Sequence, residues 1–345
     1  MARRELVCVF LVFGLLAQTK RQAAVAKAET GLNLAHQGKY REAIRAYEEA
    51  LALDPSALGV NLNLGLAWFK LGEFRRAIPA FEKENARNST SQVVTLLAMS
   101  YYGAGDFPEA ARRLKLVALQ QPENKELPYL LAQAYLRSGQ YAEAIASFKK
   151  LLEMDPDSVT VHMLLGQALD GTYRTEDAIS EFEAAVKSDP TQPDVHFGLG
   201  FLYWKVQRYE EAERELREEL KRYPANAQAS AYLGDLLMRA GRRQEAAARL
   251  ETAVRARPDL RVAHYDLGVL LAEQDKTEAA EKEFREAIRI APARADAHYR
   301  LAGVLRATGH AAEADRELET VTRLHEERRE DSLLKISGPM TAQKP

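Results

Sequence analysis

Proline falls at residues 122, 156, 190, 224, 258 and 292, each 34 after the last, and a chain keeps such a clock only when one structural unit is being repeated. Pro55 stands 67 residues before Pro122, two periods less one. Asp54-Pro55, Asp155-Pro156 and Asp189-Pro190 share the same wording. Small residues run on the same period at Gly31, Gly65, Ala98, Ala132, Gly166, Gly200, Gly234, Gly268 and Ala302. A second small series follows twelve residues behind, from Ala43 and Ala77 to Ala280 and Ala314. The series define nine units, near 24–57, 58–90, 91–124, 125–158, 159–192, 193–226, 227–260, 261–294 and 295–328.

Each unit has the pattern of two helices. In the sixth, Leu199, Gly200 and Tyr203 share a face of a helix starting near Asp194, and Ala212, Leu216 and Leu220 share a face of the next. Small side chains let a neighbouring helix come close, so they mark helix crossings. Gly38, Gly72, Gly105, Gly139, Gly241 and Gly309 fall at the intervening turn, where a residue able to take positive φ ends the first helix. The proline closes the second helix, because it disfavours helical geometry in the residue before it. Short loops make successive helices antiparallel. The second unit departs from the rule: it is one residue short, Asn88, Ser89, Thr90 and Ser91 replace its closing proline, and Pro79 lies inside its second helix, which predicts a kink or a looser joint.

Leu64-Gly65 followed by Trp68, and Leu199-Gly200 followed by Tyr203, then Ala, then an aromatic such as Tyr47, Phe81, Phe148, Phe182 or Phe284, then Pro, resemble the tetratricopeptide repeat pattern over nearly the whole chain after residue 23. The resemblance implies an all-α fold, a right-handed superhelical solenoid of about nine tandem two-helix units. In it the first helices line a concave surface and the second helices face outward. Stability is then a sum of unit and neighbour terms, with solubilising ends. Residues 329–345 are expected to form a polar tail, disordered from Ser337 to Pro345.

Ahead of the repeats, Arg3 and Arg4 precede an apolar run from Leu6 to Ala17, and that order suggests a secretory signal peptide within residues 1–23. Twelve helical residues reach about 18 Å, short of the roughly 30 Å hydrocarbon core, so no stable membrane span is expected. Ala17, Ala24 and Ala26 are alternative residues before a cut. Cys8 is the sole cysteine, and without it disulfides, thiolate nucleophiles and cysteine metal sites drop out together. The localisation expected is secreted, periplasmic or cell envelope if the segment is a signal, and cytoplasmic otherwise.

The chain has no GxxxxGK[ST] loop, no GxSxG elbow, no HExxH pair and no strand-borne GxGxxG, and nine hairpins leave no room for a separate catalytic domain. No enzyme activity, cofactor or metal is expected. Lys plus Arg total 48 against 50 for Asp plus Glu, with no long block of one sign, so nothing argues for nucleic acid. Glu210, Glu211, Glu213 and Glu215 are expected on a solvated face. His162, His196, His264 and His298 recur four residues before the small residue. Equivalent side chains stand about a helix diameter apart, too far to share one metal, so packing with a hydrogen bond to a neighbour is expected.

The first helix of the sixth unit carries a second apolar stripe, Phe197, Phe201 and Trp204, at i, i+4, i+7. Leu66 and Phe69 in the second unit, and Met99 with Tyr102 in the third, repeat it. Tyr129, Met163, Met238, Tyr265 and Tyr299 join the candidate face, and Lys70, Arg137, Lys205 and Arg239 recur along one edge. By the resemblance this face lines the groove and takes a protein partner: an apolar, somewhat acidic extended peptide or one face of an amphipathic helix. The alternatives are a small-ligand or carbohydrate receptor and the regulatory arm of an envelope enzyme complex. The carboxylate clamp of some tetratricopeptide domains is not carried over, because Asn63 stands alone with Leu130, Leu164 and Gly198 at later equivalents. Oligomeric state is open.

Overall fold

A computed structural model describes the backbone of residues 2–120 and 126–337 and the side chains of residues 18–119 and 126–330. Among them are eighteen helices and no strand. The chain divides into two compact units, Met1–Arg174 and Thr175–Pro345. The first holds α1 (Ala2–His36), α2 (Tyr40–Leu53), α3 (Val60–Lys70), α4 (Phe74–Arg87), α5 (Ser91–Ala104), α6 (Phe107–Gln120), α7 (Glu126–Arg137), α8 (Tyr141–Met154) and α9 (Val159–Gly171). The second holds α10 (Thr175–Ser188), α11 (Val195–Lys205), α12 (Tyr209–Arg222), α13 (Ala227–Arg239), α14 (Arg243–Ala256), α15 (Arg261–Glu273), α16 (Thr277–Ile290), α17 (Ala295–Ala307) and α18 (Ala311–Ser337). Eighteen helices on the period set by the sequence are consistent with about nine two-helix repeats.

Packing inside a hairpin turns on one small residue of the first helix and one large residue sixteen positions later on the second. A Cβ added to Gly65 would stand 2.6 Å from Phe81 Cε1, and one on Gly268 would stand 2.8 Å from Phe284 Cε1. Gly200 and Leu216 repeat the contact with 2.9 Å to Cγ. Tyr47, Phe81, Phe148 and Phe284 are fully buried by this arrangement, each worth roughly 1.5–3 kcal/mol relative to exposure. The core continues from one hairpin to the next: Tyr47 of α2 shares a cluster with Val60 and Leu64 of α3, and Phe81 of α4 shares one with Leu97 of α5.

The turn between first and second helix is a Schellman motif. At the end of α11, Gln207 N–H donates to the Trp204 carbonyl at 3.1 Å and Arg208 N–H to the Tyr203 carbonyl at 2.9 Å. The motif needs a left-handed residue. Gly241 supplies it at φ +73°, while Tyr173, Gln207 and Asp275 adopt φ +63°, +62° and +60° at the equivalent places without being glycine. At the other end of the repeat, the residue before proline is extended, as with Asp155 at φ −141°, ψ 84° and Arg257 at φ −145°, ψ 86°. Pro122 lies outside the described residues. In the second unit of the sequence pattern, Thr90 takes over from the missing proline by capping α5, its hydroxyl accepting from Val93 N–H at 3.3 Å. Pro79 lies inside α4, which is helical on both sides of it.

The histidine series is committed to its own hairpins. His196, His264 and His298 are buried, and each Nδ1–H donates to a glutamate nineteen residues on: Glu215 at 2.8 Å, Glu283 at 2.6 Å and Glu317 at 2.5 Å. Nε2 of His264 and of His298 also faces a carbonyl, of Pro258 and Pro292, at 3.0 Å. On the His264 ring the two acceptors are both satisfied only by an imidazolium, which donates from both nitrogens. The Glu283 hydrogen bond accordingly raises the His264 pKa against the opposing effect of burial. At the seventh position of the series stands Ser230, fully buried with an unbonded hydroxyl, and Arg249 replaces the glutamate nineteen residues on. Glu215 is therefore not on a solvated face as the sequence suggested: burial pushes its carboxyl up, but hydrogen bonds from His196 and Arg214 outweigh burial and hold it below the ordinary range. Glu219, also buried, accepts from Asp194 and Phe197 N–H at 3.2 Å each and so caps α11.

Past residue 17, α1 packs on α2, so the first repeat begins inside one long helix. The last helix continues to Ser337, beyond the expected end of the repeats at 328; residues 338–345, where the sequence suggests disorder, lie outside the described residues. No helix among the described residues is long and apolar enough to cross a membrane.

Two outcomes follow from the turn and the histidine series. Gln207→Gly relieves a left-handed non-glycine residue, and the relief exceeds the added chain entropy, so stability rises by roughly 0.5–1 kcal/mol, read as a higher urea midpoint. Because the folded-state pKa of His264 lies above its unfolded value, its stabilisation is complete below about pH 6.5 and is lost as pH rises through the folded-state pKa. His264→Gln therefore costs more stability below about pH 6.5 than at a pH above the folded-state pKa in denaturation curves; an equal cost on both sides contradicts the assignment.

Candidate functional site

Within the second unit, α11 touches α13, α13 touches α15, and α15 touches α17, so the first helices stand side by side and form one face. On α11, Phe197, Phe201 and Trp204 project together as the i, i+4, i+7 spacing requires, and all three are half-buried. They meet Tyr232 of α13, absent from the sequence-derived set. Tyr232 packs edge-on against Phe201 at 5.2 Å and against Trp204 at 5.0 Å, and Trp204 stacks on Phe201 at 6.1 Å. Phe197 closes the cluster at 6.1 Å from Tyr232. Trp204 Nε1–H donates to Asp235 Oδ2 at 2.6 Å, and Arg239 pairs with the same oxygen at 2.8 Å. Burial, with Asp266 and Asp235 adding negative charge, raises the Tyr232 pKa.

The remaining candidates of this unit are spread along the face. Met238 is half-buried on α13, and Tyr265 on α15 lies under the Arg261 guanidinium at 5.3 Å. Tyr299 on α17 is 62% exposed. It borders a cavity of about 520 Å³ whose other walls include Val269, Phe284, Arg300, Arg306 and Leu318. Lys205 ends α11 and is exposed.

In the first unit, Leu66 is half-buried against the Phe81 cluster, and Phe69 packs edge-on against Phe74 at 5.2 Å, within its own hairpin. Tyr102 does the same with Phe107 at 5.2 Å and donates to Gln133 Oε1 at 3.4 Å. Met99, 37% exposed, is the most open apolar member, while Tyr129 and Met163 are half-buried on α7 and α9. Lys70 and Arg137 end α3 and α7, and both are exposed.

The cationic edge is partly consumed by the fold. The Arg137 guanidinium lies 4.9 Å from the Phe107 ring centre, and that of Arg239 lies 5.5 Å from Tyr209 besides its pair with Asp235. Tyr232 and Asp235 were missed because they follow Phe201 and Trp204 by 31 residues, a cross-helix offset, and not by the 34 of the repeat. The Tyr102–Gln133 bond has the same offset, and that recurring interval is the signal that finds them.

No group of three or more His, Cys, Asp or Glu able to hold a metal occurs among the described residues. A tetratricopeptide repeat family model matches residues 28–90, 95–159, 129–193, 197–260 and 233–295, and a second such model matches 170–218 and 271–331. No curated protein sequence matches. Among solved structures, a tetratricopeptide repeat protein from Parabacteroides merdae is similar, with 16% identity and a TM-score of 0.55 over 72% of this chain and 99% of that one. A chain of the APC/C hetero-tetramer Cut9–Hcn1 is similar at 15% identity and a TM-score of 0.50 over 87% of this chain and 66% of that one. YrrB, described as a tetratricopeptide repeat protein with an unusual peptide-binding site, has 20% identity and a TM-score of 0.43 over 51% of this chain and 91% of that one. The repeat matches run through most of the chain, and the chain belongs to the tetratricopeptide repeat family.

Proposed function

We propose that this chain is a non-catalytic scaffold that holds a partner protein, as an extended peptide or one face of a helix, on the face formed by α11, α13 and α15. The observation that carries the reading is the half-buried cluster of Phe197, Phe201, Trp204 and Tyr232. Four rings gathered on adjacent helices and still partly open to solvent give a partner a large, stiff apolar contact at small entropic cost. Membership in a family whose members serve as interaction scaffolds supports it. The acidic preference inferred from the edge cations has less support, because Arg137 and Arg239 already lie on rings and Arg239 is already paired.

A small-ligand reading has one observation in its favour, the cavity beside Tyr299, whose volume of about 520 Å³ falls in the range of ligand sites. A ligand-induced rise in melting temperature that Tyr299→Ala abolishes would select it. We also propose that residues 1–23 act as a secretory signal and direct the repeats to the cell envelope or beyond; N-terminal sequencing of the protein from its native host tests this, with a start after Ala17, Ala24 or Ala26 expected.

The scaffold reading is tested with linear peptides selected on the purified full chain from a displayed random library. Changing Phe201 and Trp204 together to Ala weakens their binding by about thirtyfold or more, as for removal of a central hot spot. Unchanged affinity, with circular dichroism showing the variant folded, rejects this face as the binding surface.

A further inference from the structure

Asp266 is the side chain on this face whose charge the fold leaves uncompensated. It sits half-buried on α15, and among the described residues it makes no hydrogen bond or ion pair. The charges that face it are Asp235 and Arg239 of α13, Arg261 of its own helix and Asp296 of α17. Both arginines are committed elsewhere: Arg239 to Asp235 at 2.8 Å and Arg261 to Asp296. Burial, and then the Asp235 charge, push the Asp266 carboxyl up to about 7.

Position matters as much as charge. Trp204 and Asp235 are 31 residues apart and bond across α11 and α13; Asp235 and Asp266 are 31 apart across α13 and α15. The aromatic cluster therefore continues, helix by helix, into a carboxylate. Phe201 and Tyr232, 31 apart, touch across α11 and α13 at 5.2 Å, and α13 touches α15 in turn, so the same interval sets Asp266 on the helix beside Asp235. An apolar face ending in an unpaired carboxylate complements a long stem with a cationic head.

We infer that Asp266, with Tyr232 and Asp235, forms a subsite for one basic side chain, lysine or arginine, of the bound peptide. The stem lies along Trp204 and Tyr232, and the ammonium or guanidinium supplies the charge-assisted hydrogen bond that Asp266 lacks. The inference rests on the reading of this face as a peptide-binding surface and adds the chemistry of one position. It reverses the charge preference that the cationic edge suggested.

The test uses the full chain and peptides selected on it from a displayed linear library. A basic residue is expected at one fixed position of the enriched peptides. Replacing it by norleucine weakens binding to the wild type about tenfold and to Asp266→Asn no more than about twofold, the loss expected when a single charge pair is removed. Binding of the basic peptide also strengthens between about pH 6 and 8, as Asp266 gives up its proton, and Asp266→Asn flattens that rise. Asp266→Asn removes an unpaired, half-buried charge, so the free variant melts higher than the wild type near pH 8 (about a unit above the Asp266 midpoint), which separates lost binding from lost folding. Enrichment without a basic position, or an equal norleucine penalty in both proteins, overturns the subsite while the aromatic face stands. If no peptide is enriched, or binding is indifferent to Phe201→Ala with Trp204→Ala, the face and the subsite fall together.

Discussion

The structure depends on hairpins that cannot bury their own apolar surface. A pair of helices of eleven to fourteen residues, such as α11 with α12, is short for independent stability in water, and its hydrophobic residues point both at its partner helix and at the next hairpin. The close approach of Gly65 to Phe81, or Gly268 to Phe284, fixes how the two helices cross. The large side chain held there then meets the following hairpin, as Phe81 meets Leu97. Each unit is completed by its neighbour, and the repeat period is the sequence trace of that dependence.

That division of labour leaves the first helices with two duties. One side carries the small residue and the hairpin core; the other is free of that obligation and can present residues to a partner. On α11 both are visible within about one turn: Gly200 accepts the second helix against Leu216, while Phe201 and Trp204 join Tyr232 on the adjoining side. Polar groups are satisfied by position in the repeat. His196, His264 and His298 each meet a glutamate at the same offset, which ties the first helix to the second by a buried charged or hydrogen-bonded pair. Removing one partner from such a pair is costlier than never having had it, since the other is left buried and alone.

Much of this was legible in the sequence because the period is carried by residues with distinct local physics. Proline fixes the residue before it, and glycine marks most left-handed turns. Tyr173, Gln207 and Asp275 were not legible as turn residues, because the repeat imposes φ near +60° on side chains that do not prefer it. The helical spacing of Phe197, Phe201 and Trp204 gave their common face, yet it could not give Tyr232, whose equivalent one unit earlier is Gly198. Arg137 and Arg239 look like free edge cations until the fold lays them on Phe107 and Tyr209, and Glu215 looks solvated until His196 reaches it. Contacts between helices, within a hairpin for Glu215 and between repeats for the two arginines, decide these cases, and periodicity alone does not encode them.

The central claim is that recognition is left to the first-helix face while the second helices only complete the hairpins. Hydrogen–deuterium exchange of the full chain with and without a bound peptide tests it most directly. The account predicts new amide protection concentrated in α11, α13 and α15, with α12 and α14 unchanged; protection confined to α12 and α14 would contradict it.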